Sequence, residues 1–138
     1  MPLITVTYSS PQATPSTKAA LAAAVSDLTA RILRKDPKVT AIIVTSVDAA
    51  DWFAGGRSLA EQGLASYWLD IHVTEGTNTK DEKAAYLAAV FSRMGELLGP
   101  LNPETYLHVD EVKGDAYGFG GVTQEQRYIA GKLGLSAA

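Results

Sequence analysis

The sequence predicts an α/β fold, an α+β sandwich in which two helices pack on one face of a four-stranded mixed sheet. Two observations support this prediction. The order strand, helix, strand occurs twice along the chain, and corresponding landmarks of the two copies keep a nearly constant separation. Tyr67 follows Pro2 by 65 positions, and Tyr117 follows Trp52 by the same number. We therefore expect two pseudo-symmetric β-α-β units.

The first unit begins with a strand, because residues 2–8 alternate apolar with mostly polar side chains. A helix follows, with Thr14-Pro15 at its start, and we expect it to run to about Lys35. Its apolar residues recur at helical spacing, at Leu21, Val25, Leu28 and Ile32. Asp36-Pro37 ends the helix, and the β-branched residues in 39–47 predict the second strand.

The second unit repeats this order with a strand at 67–74, a helix and a strand at 106–112. Thr79 and Glu82 have the spacing of a capping box at the start of the helix, and Gly99-Pro100 marks its end. The helical apolar positions are again spaced by three or four residues. They are Leu87, Phe91, Met94 and Leu98.

Polar residues occupy one face of the second unit's strands, and this face cannot pack on the helices. They are Asp70, His72, Thr74, His108 and Asp110. A metal site is one interpretation, but hydrogen-bonded pairs are the commoner one. We expect pairs, no metal, and a face that meets other subunits of a symmetric oligomer.

Composition narrows the function. At 138 residues the chain fits a single domain, and a net charge of −3 gives no reason to expect a nucleic-acid partner. The chain has no cysteine, which excludes disulfides, thiolate catalysis and cysteine-based metal sites. We see neither a signal-peptide pattern nor an apolar run of membrane-spanning length, so we expect a cytoplasmic protein without a membrane partner.

Three motifs carry a family resemblance. Residues 71–76, with 81–83 shortly after, resemble the first strand, loop and helix start of the 4-oxalocrotonate tautomerase family. Residues 110–121 resemble that family's last strand and its aromatic-Gly-x-Gly-Gly hairpin, and residues 52–56 are a weaker version. Together the motifs identify the chain as a member of the tautomerase superfamily. Its two units are fused, as in the macrophage migration inhibitory factor family.

The resemblance implies a single tautomerase-like domain over residues 1–138 that forms a homotrimer. Its two repeats cover 2–57 and 67–121. Residues 122–138 lie beyond the repeats as a tail, which we expect to pack on a neighbouring subunit. Gln124, Arg127 and Tyr128 form a polar and aromatic stretch in this tail.

The resemblance also assigns Pro2 the role of catalytic base, once Met1 is removed. A free α-amine has a pKa near 7.7 to 8.0, and desolvation lowers it, so such an amine can act as a base near neutral pH. While Met1 is attached, the Pro2 nitrogen is a non-basic amide. The corresponding residue of the second unit is the internal Tyr67, so we expect one active site per subunit.

The family's arginines are absent, because their positions hold Gln12, Ala41, Thr77 and Tyr106. Lys35 resembles the pocket lysine of the macrophage migration inhibitory factor family, and we expect it to stabilise the oxyanion. A solvated lysine at a helix end is the alternative. Lys38 and Arg57 are further candidates for substrate binding.

Trp52 and Tyr117 hold the aromatic position of the two hairpins. The resemblance assigns Trp52 to substrate binding and Tyr117 to catalysis, with interface packing as the alternative for both.

The sequence leaves three functions open. The leading one is a cofactor-independent tautomerase or isomerase in which Pro2 moves a proton in a small enol, 2-hydroxy-dienoate or 2-oxo acid. The second is hydration or dehalogenation of a small unsaturated acid by a cationic Pro2. The third is a trimeric binding protein without catalysis, which the missing arginines suggest.

Overall fold

The computed structural model describes residues 1–136. Its elements follow in the order β1 (Leu3–Ser9), α1 (Thr17–Leu33), a 3-10 turn (Pro37–Val39), β2 (Ala41–Ser46), a 3-10 turn (Ala49–Asp51), β3 (Phe53–Ala54), β4 (Arg57–Ser58), α2 (Leu59–Gln62), β5 (Ser66–Thr74), α3 (Lys80–Leu98), β6 (Tyr106–Val112), β7 (Gly118–Phe119), β8 (Val122–Thr123) and α4 (Gln124–Leu133).

The four long strands form a mixed sheet in the order β2-β1-β5-β6. β1 is parallel to β2, and β5 is parallel to β6, as the two predicted β-α-β units require. The central strands β1 and β5 run antiparallel, with Val6 opposite Leu69. The predicted fold class is confirmed, and each long strand begins and ends within about two residues of its predicted bounds.

The core lies between the sheet and the helices α1 and α3. Alternation in β1 buries Ile4 and Val6 completely or nearly so, while the residues between them face the other side of the sheet. The two helices contact each other through a buried hydrogen bond of 2.8 Å between the hydroxyls of Thr29 and Tyr86. This bond satisfies both hydroxyls in the apolar core.

Local signals define the helix ends. Thr79 and Glu82 form the predicted capping box at the start of α3. Helix α1 ends at Leu33, two residues before the predicted end, because Arg34 adopts a left-handed conformation with φ of 58°. Lys35 therefore lies just outside the helix.

The sheet face opposite the helices carries the predicted polar pairs. His72 lies 2.9 Å from Asp70 and 3.6 Å from Asp110, and His108 lies 3.4 Å from Asp70. Within residues 1–136, no group of three or more potential ligands has an arrangement that could hold a metal ion. The apolar side chains Ile43, Trp68 and Tyr106 share this face and are exposed by 54%, 53% and 63%.

The two glycine pairs form equivalent turns. Gly55-Gly56 connects β3 to β4, Gly120-Gly121 connects β7 to β8, and all four glycines have positive φ. A short helix follows each hairpin, capped by Ser58 in the first unit and Thr123 in the second. The structural correspondence thus continues past residue 121 into the segment that we expected to lie beyond the repeats.

In the described part of the chain, we find no helix with the length and apolar character that crossing a membrane requires.

Candidate active site at the amino terminus

Two clefts meet at the amino terminus, and Met1 lines both. The large cleft has a volume of about 830 Å³. Its lining includes Lys35, Thr77, Lys113, Gln124, Glu125 and Arg127. The small cleft has a volume of about 380 Å³. Its lining includes Pro2, Lys38, Ala41, Tyr117 and Phe119.

Strand β1 fixes the position of Pro2 between these clefts. The Pro2 side chain is buried, and its carbonyl oxygen accepts a hydrogen bond of 3.1 Å from the Ala41 amide at the start of β2. Proline suits this position because it precedes β1, where the ladder requires no N–H group. The parallel β1-β2 pair therefore holds the chain end in place.

The environment of the chain end favours a neutral amine. Burial lowers the pKa of the Met1 amine below its ordinary value of 8.0, and the nearby positive charge of Lys35 lowers it further. The carboxylate of Asp36 has the opposite, smaller effect. An amine at this place is thus suited to accept a proton at neutral pH.

Lys35 is held in the large cleft by the loop that follows β5. Its Nζ donates a hydrogen bond of 2.9 Å to Thr77 Oγ1, and the Thr77 hydroxyl donates to the Thr74 carbonyl at 2.6 Å. Burial is the main cause that lowers the Lys35 pKa from its ordinary value. Thr77, which stands where the resembling family has an arginine, thus anchors a different cation in the cleft.

Tyr117 reaches the amino terminus from the residue before β7. Its hydroxyl donates a hydrogen bond of 2.6 Å to the carbonyl oxygen of Met1. Burial raises its pKa, so the phenol keeps its proton at neutral pH and remains a donor. Removal of Met1 takes away this acceptor and leaves only the longer contact of 3.5 Å with the His72 carbonyl among the hydroxyl's observed hydrogen bonds.

The remaining predicted site residues, Lys38, Trp52 and Arg57, do not lie together in the chain. Lys38 lines the small cleft together with Pro2. Trp52 instead lines a separate cavity of about 370 Å³ with Trp68 and Tyr106, at the corresponding position of the other unit. Arg57 is exposed and lies 3.4 Å from Glu61. Within one chain, Trp52 and Arg57 therefore do not line either of the clefts at Met1.

The sequence analysis placed Gln124 and Arg127 in the tail and not in the site, whereas helix α4 puts both in the lining of the large cleft. The Arg127 guanidinium lies over the Phe119 ring, with Cζ 4.8 Å from the ring centroid, and its Nη2 donates to the Phe119 carbonyl at 2.7 Å. The available sequence signal was the three-residue spacing of these side chains after a capping threonine.

Comparison with known proteins supports the family resemblance. The family model described as "Tautomerase enzyme" matches residues 2–62. No curated protein matches the sequence.

Solved structures with similar folds cover nearly the whole chain. A fused 4-OT wild-type symmetric trimer is 21% identical, with a TM-score of 0.76 over 89% of this chain and 96% of that chain. A macrophage migration inhibitory factor-like protein from Entamoeba histolytica is 19% identical, with a TM-score of 0.73 over 88% and 97%. N1, a member of the cis-3-chloroacrylic acid dehalogenase family, is 22% identical, with a TM-score of 0.69 over 91% and 90%.

The family match lies over the first β-α-β unit, and the fold similarity extends across the second. The first β-α-β unit thus matches the tautomerase family model, and the chain has the same fold as the fused 4-OT and macrophage migration inhibitory factor-like structures.

Proposed function

We propose that the chain is a cofactor-independent tautomerase in which Pro2, freed by removal of Met1, is the proton-transfer base. One observation carries this proposal. The chain end lies between two clefts, in surroundings that lower the pKa of an α-amine. The proline nitrogen that replaces the Met1 amine would experience the same burial and the same nearby lysine charge, so its neutral form would be favoured.

The proposed reaction converts a small enol to its keto form. The neutral Pro2 nitrogen removes the hydroxyl proton, and the oxygen electron pair forms the carbonyl bond. The carbon–carbon double bond then takes up the proton from the prolinium ion, which restores the neutral amine. Lys35 and the Tyr117 hydroxyl are the proposed donors to the oxygen while it carries negative charge, because such preorganised donors stabilise the charge that develops in the transition state.

We further propose a homotrimer. A large part of the sheet face opposite the helices is exposed in a single chain and carries both apolar side chains and the His72–Asp70 pair. One solved structure with this fold is a symmetric trimer. In such an assembly Trp52 and Arg57 would bind substrate only in the site of a neighbouring subunit, whereas Lys38 would act within its own chain.

Ketonisation of phenylenolpyruvate, followed by ultraviolet absorbance, tests the proposed activity. The protein is first checked by mass spectrometry for loss of Met1, and the Pro2→Ala variant is compared with it. We expect turnover that falls at least about 100-fold in the variant, in keeping with the usual contribution of a positioned base. Turnover that is absent, or unchanged in the variant, would contradict the proposal.

A second candidate function is hydration or dehalogenation of a small unsaturated acid. It is favoured by the carboxylates of Glu75 and Glu125 in the lining of the large cleft, either of which would activate a water molecule. The fold similarity to a member of the cis-3-chloroacrylic acid dehalogenase family agrees with it. Chloride release from cis-3-chloroacrylate, lost in the Glu125→Gln variant, would select this function instead.

A further inference from the structure

We infer that Gln124 and Arg127 on α4 form a binding site for a substrate carboxylate in the large cleft. This inference rests on the proposed function and narrows its substrate class to enols and 2-oxo compounds that carry a carboxylate. The site lies within one chain, and it uses positions other than those at which the resembling family has its arginines.

Two side chains in the lining of the large cleft carry buried donors without a partner in the described residues of the chain. Gln124 Nε2 and Arg127 Nε are both shielded from water, and neither has a hydrogen-bond partner within residues 1–136. Their positions differ by three, so both side chains emerge on the same face of α4, and both line the large cleft. Because buried donors are nearly always paired in folded proteins, we infer that these two side chains turn toward the cleft and donate to an acceptor that a ligand brings.

Comparison of the two units shows that the bond between the short helix and its hairpin does not require an arginine. Gln62 on α2 donates to the Ala54 carbonyl at 3.0 Å, and this bond ties the short helix to the hairpin before it. Arg127 makes the equivalent bond to Phe119, 65 positions later in both donor and acceptor. A glutamine meets this requirement in the first unit, so the positive charge and the additional donors of Arg127 are available for another purpose.

The guanidinium is also held in place. Stacking on Phe119 and the bond to its carbonyl restrict the Arg127 side chain before any ligand arrives. A preorganised guanidinium loses little conformational freedom on binding, and its planar set of donors matches the two oxygens of a carboxylate. Phe119 itself lines the small cleft with Pro2, so the hairpin connects the proposed carboxylate site to the proposed base.

The large cleft is lined by both positive and negative residues, and the burial of each charged side chain determines how strongly its charge acts on a ligand. The acidic residues Glu75, Asp115 and Glu125 are exposed, whereas Lys35 and Arg127 are half-buried. Charges that water solvates are screened, while partly buried charges act more strongly at short range. The inner part of the cleft is therefore positive and suits an anion.

Calorimetric titration of the mass-verified protein with 3-phenylpropanoate and with 3-phenylpropanamide tests the site. The two ligands differ only in the carboxylate, and neither can tautomerise to a product. The test variant is Arg127→Gln, because the first unit shows that glutamine at this position keeps the bond to the hairpin. Arg31→Gln is the matched control, since Arg31 lies exposed on α1 and pairs with Asp27.

We expect Arg127→Gln to weaken binding of the acid about 10- to 100-fold, the usual effect of losing a charged hydrogen bond, and to leave amide binding within about twofold. Arg31→Gln should change neither. Gln124→Leu leaves the Arg127–Phe119 contacts in place and should also weaken binding of the acid but not of the amide. It replaces Arg127→Gln as the test variant if Arg127→Gln fails to fold. Equal weakening of both ligands, unchanged acid binding, or no acid binding by the parent protein would overturn the inference.

The two proposals can fail separately. Selective loss of acid binding without any ketonisation activity would keep the carboxylate site and contradict the tautomerase. Ketonisation that needs Pro2 but has the same kcat/KM in Arg127→Gln would keep the tautomerase and contradict the carboxylate site.

Discussion

Lys35 and Asp36 are adjacent in sequence but have opposite effects on the amine at the chain end. Lys35 lowers the pKa of that amine, whereas Asp36 raises it. Both lie beyond the end of α1, where the left-handed Arg34 turns the chain toward the clefts. Burial is the main cause that lowers the pKa of the amine, and this pair of side chains, which can be altered one at a time, adjusts the pKa further.

Substitutions of this pair should shift the pH dependence of kcat/KM in opposite directions. A base works when neutral, so activity rises as pH increases through its pKa. Lys35→Met removes a charge that disfavours the protonated amine, which raises the pKa and moves the acidic limb to higher pH. Asp36→Asn removes the opposing charge and moves the limb to lower pH, and asparagine retains the ability to accept from the Lys38 amide.

The shifts are measured from pH–rate profiles with phenylenolpyruvate. The size of kcat at the plateau should fall in Lys35→Met, because Lys35 is also a proposed oxyanion donor, and should change little in Asp36→Asn. Shifts of the acidic limb in the same direction for both variants would contradict this account of the amine.

At the residue scale, the structure brings together four of the predicted site residues, and their roles stay predictions. Pro2, Lys35, Lys38 and Tyr117 line the clefts that Met1 joins. Arg127 was not predictable from the repeat, because its counterpart in the first unit is the uncharged Gln62. Only the folded position of α4 brings it to the cleft.

At the scale of elements, the glycine turns were visible in the sequence, whereas the short strands and helices around them were not. A two-residue strand such as β3 or β7 has no periodicity that a sequence pattern could reveal. Helix α4 is short, and much of its apolar surface is exposed, including Ile129 and Leu133. The long strands and the helices α1 and α3 were predictable because each has a buried face. In α3, however, that face includes Tyr86 and Val90, whereas Leu87 and Phe91 of the predicted apolar set are exposed.

Gly121→Ala should lower the free energy of unfolding by about 1 kcal/mol, because Gly121 has φ of 82° and side chains are disfavoured there. A Cβ at this position would meet no atom within 4 Å, so the cost comes from the backbone alone. Gly121→Asn should cost less, since asparagine tolerates left-handed conformations better.

Gly131→Ala is the matched control for this effect. Gly131 lies within α4, has an ordinary helical conformation and also has open space around its Cα. Alanine should stabilise the protein there by up to about 1 kcal/mol. Chemical denaturation measures both variants, and equal effects of the same sign would show that the turn conformation does not determine the Gly121 result.

At the scale of the whole molecule, the sequence predicted the topology through its internal repeat. It also predicted the polar pairs on the open sheet face, because strand alternation fixes which side chains share a face. The arrangement of subunits on that face depends on the shape of surfaces that residues far apart in the chain build together. The mixture of exposed Ile43, Trp68 and Tyr106 with polar His–Asp pairs is the feature that motivates the proposed homotrimer.

Light scattering should give the parent protein a mass of about three chains of 14.6 kDa each. Ile43→Lys places a charge on the open sheet face and should shift the mass toward that of one chain, because burying an unpaired charge is costly. Leu87→Lys is the control, since Leu87 is exposed on α3, on the other side of the molecule, and its substitution should leave the mass unchanged. A parent protein of any other mass, or an equal response of both variants, would contradict the proposed assembly.

The central claim is that the free Pro2 nitrogen is the base, and its titration tests the claim most directly. The protein is labelled with ¹⁵N-proline, checked by mass for loss of Met1, and the Pro2 resonance is followed by nuclear magnetic resonance as pH changes. The account predicts a Pro2 pKa below the 7.7 to 8.0 of a free α-amine, and agreement between this pKa and the acidic limb of the kcat/KM profile. A Pro2 nitrogen that does not titrate, or one whose pKa differs from that limb, would contradict it.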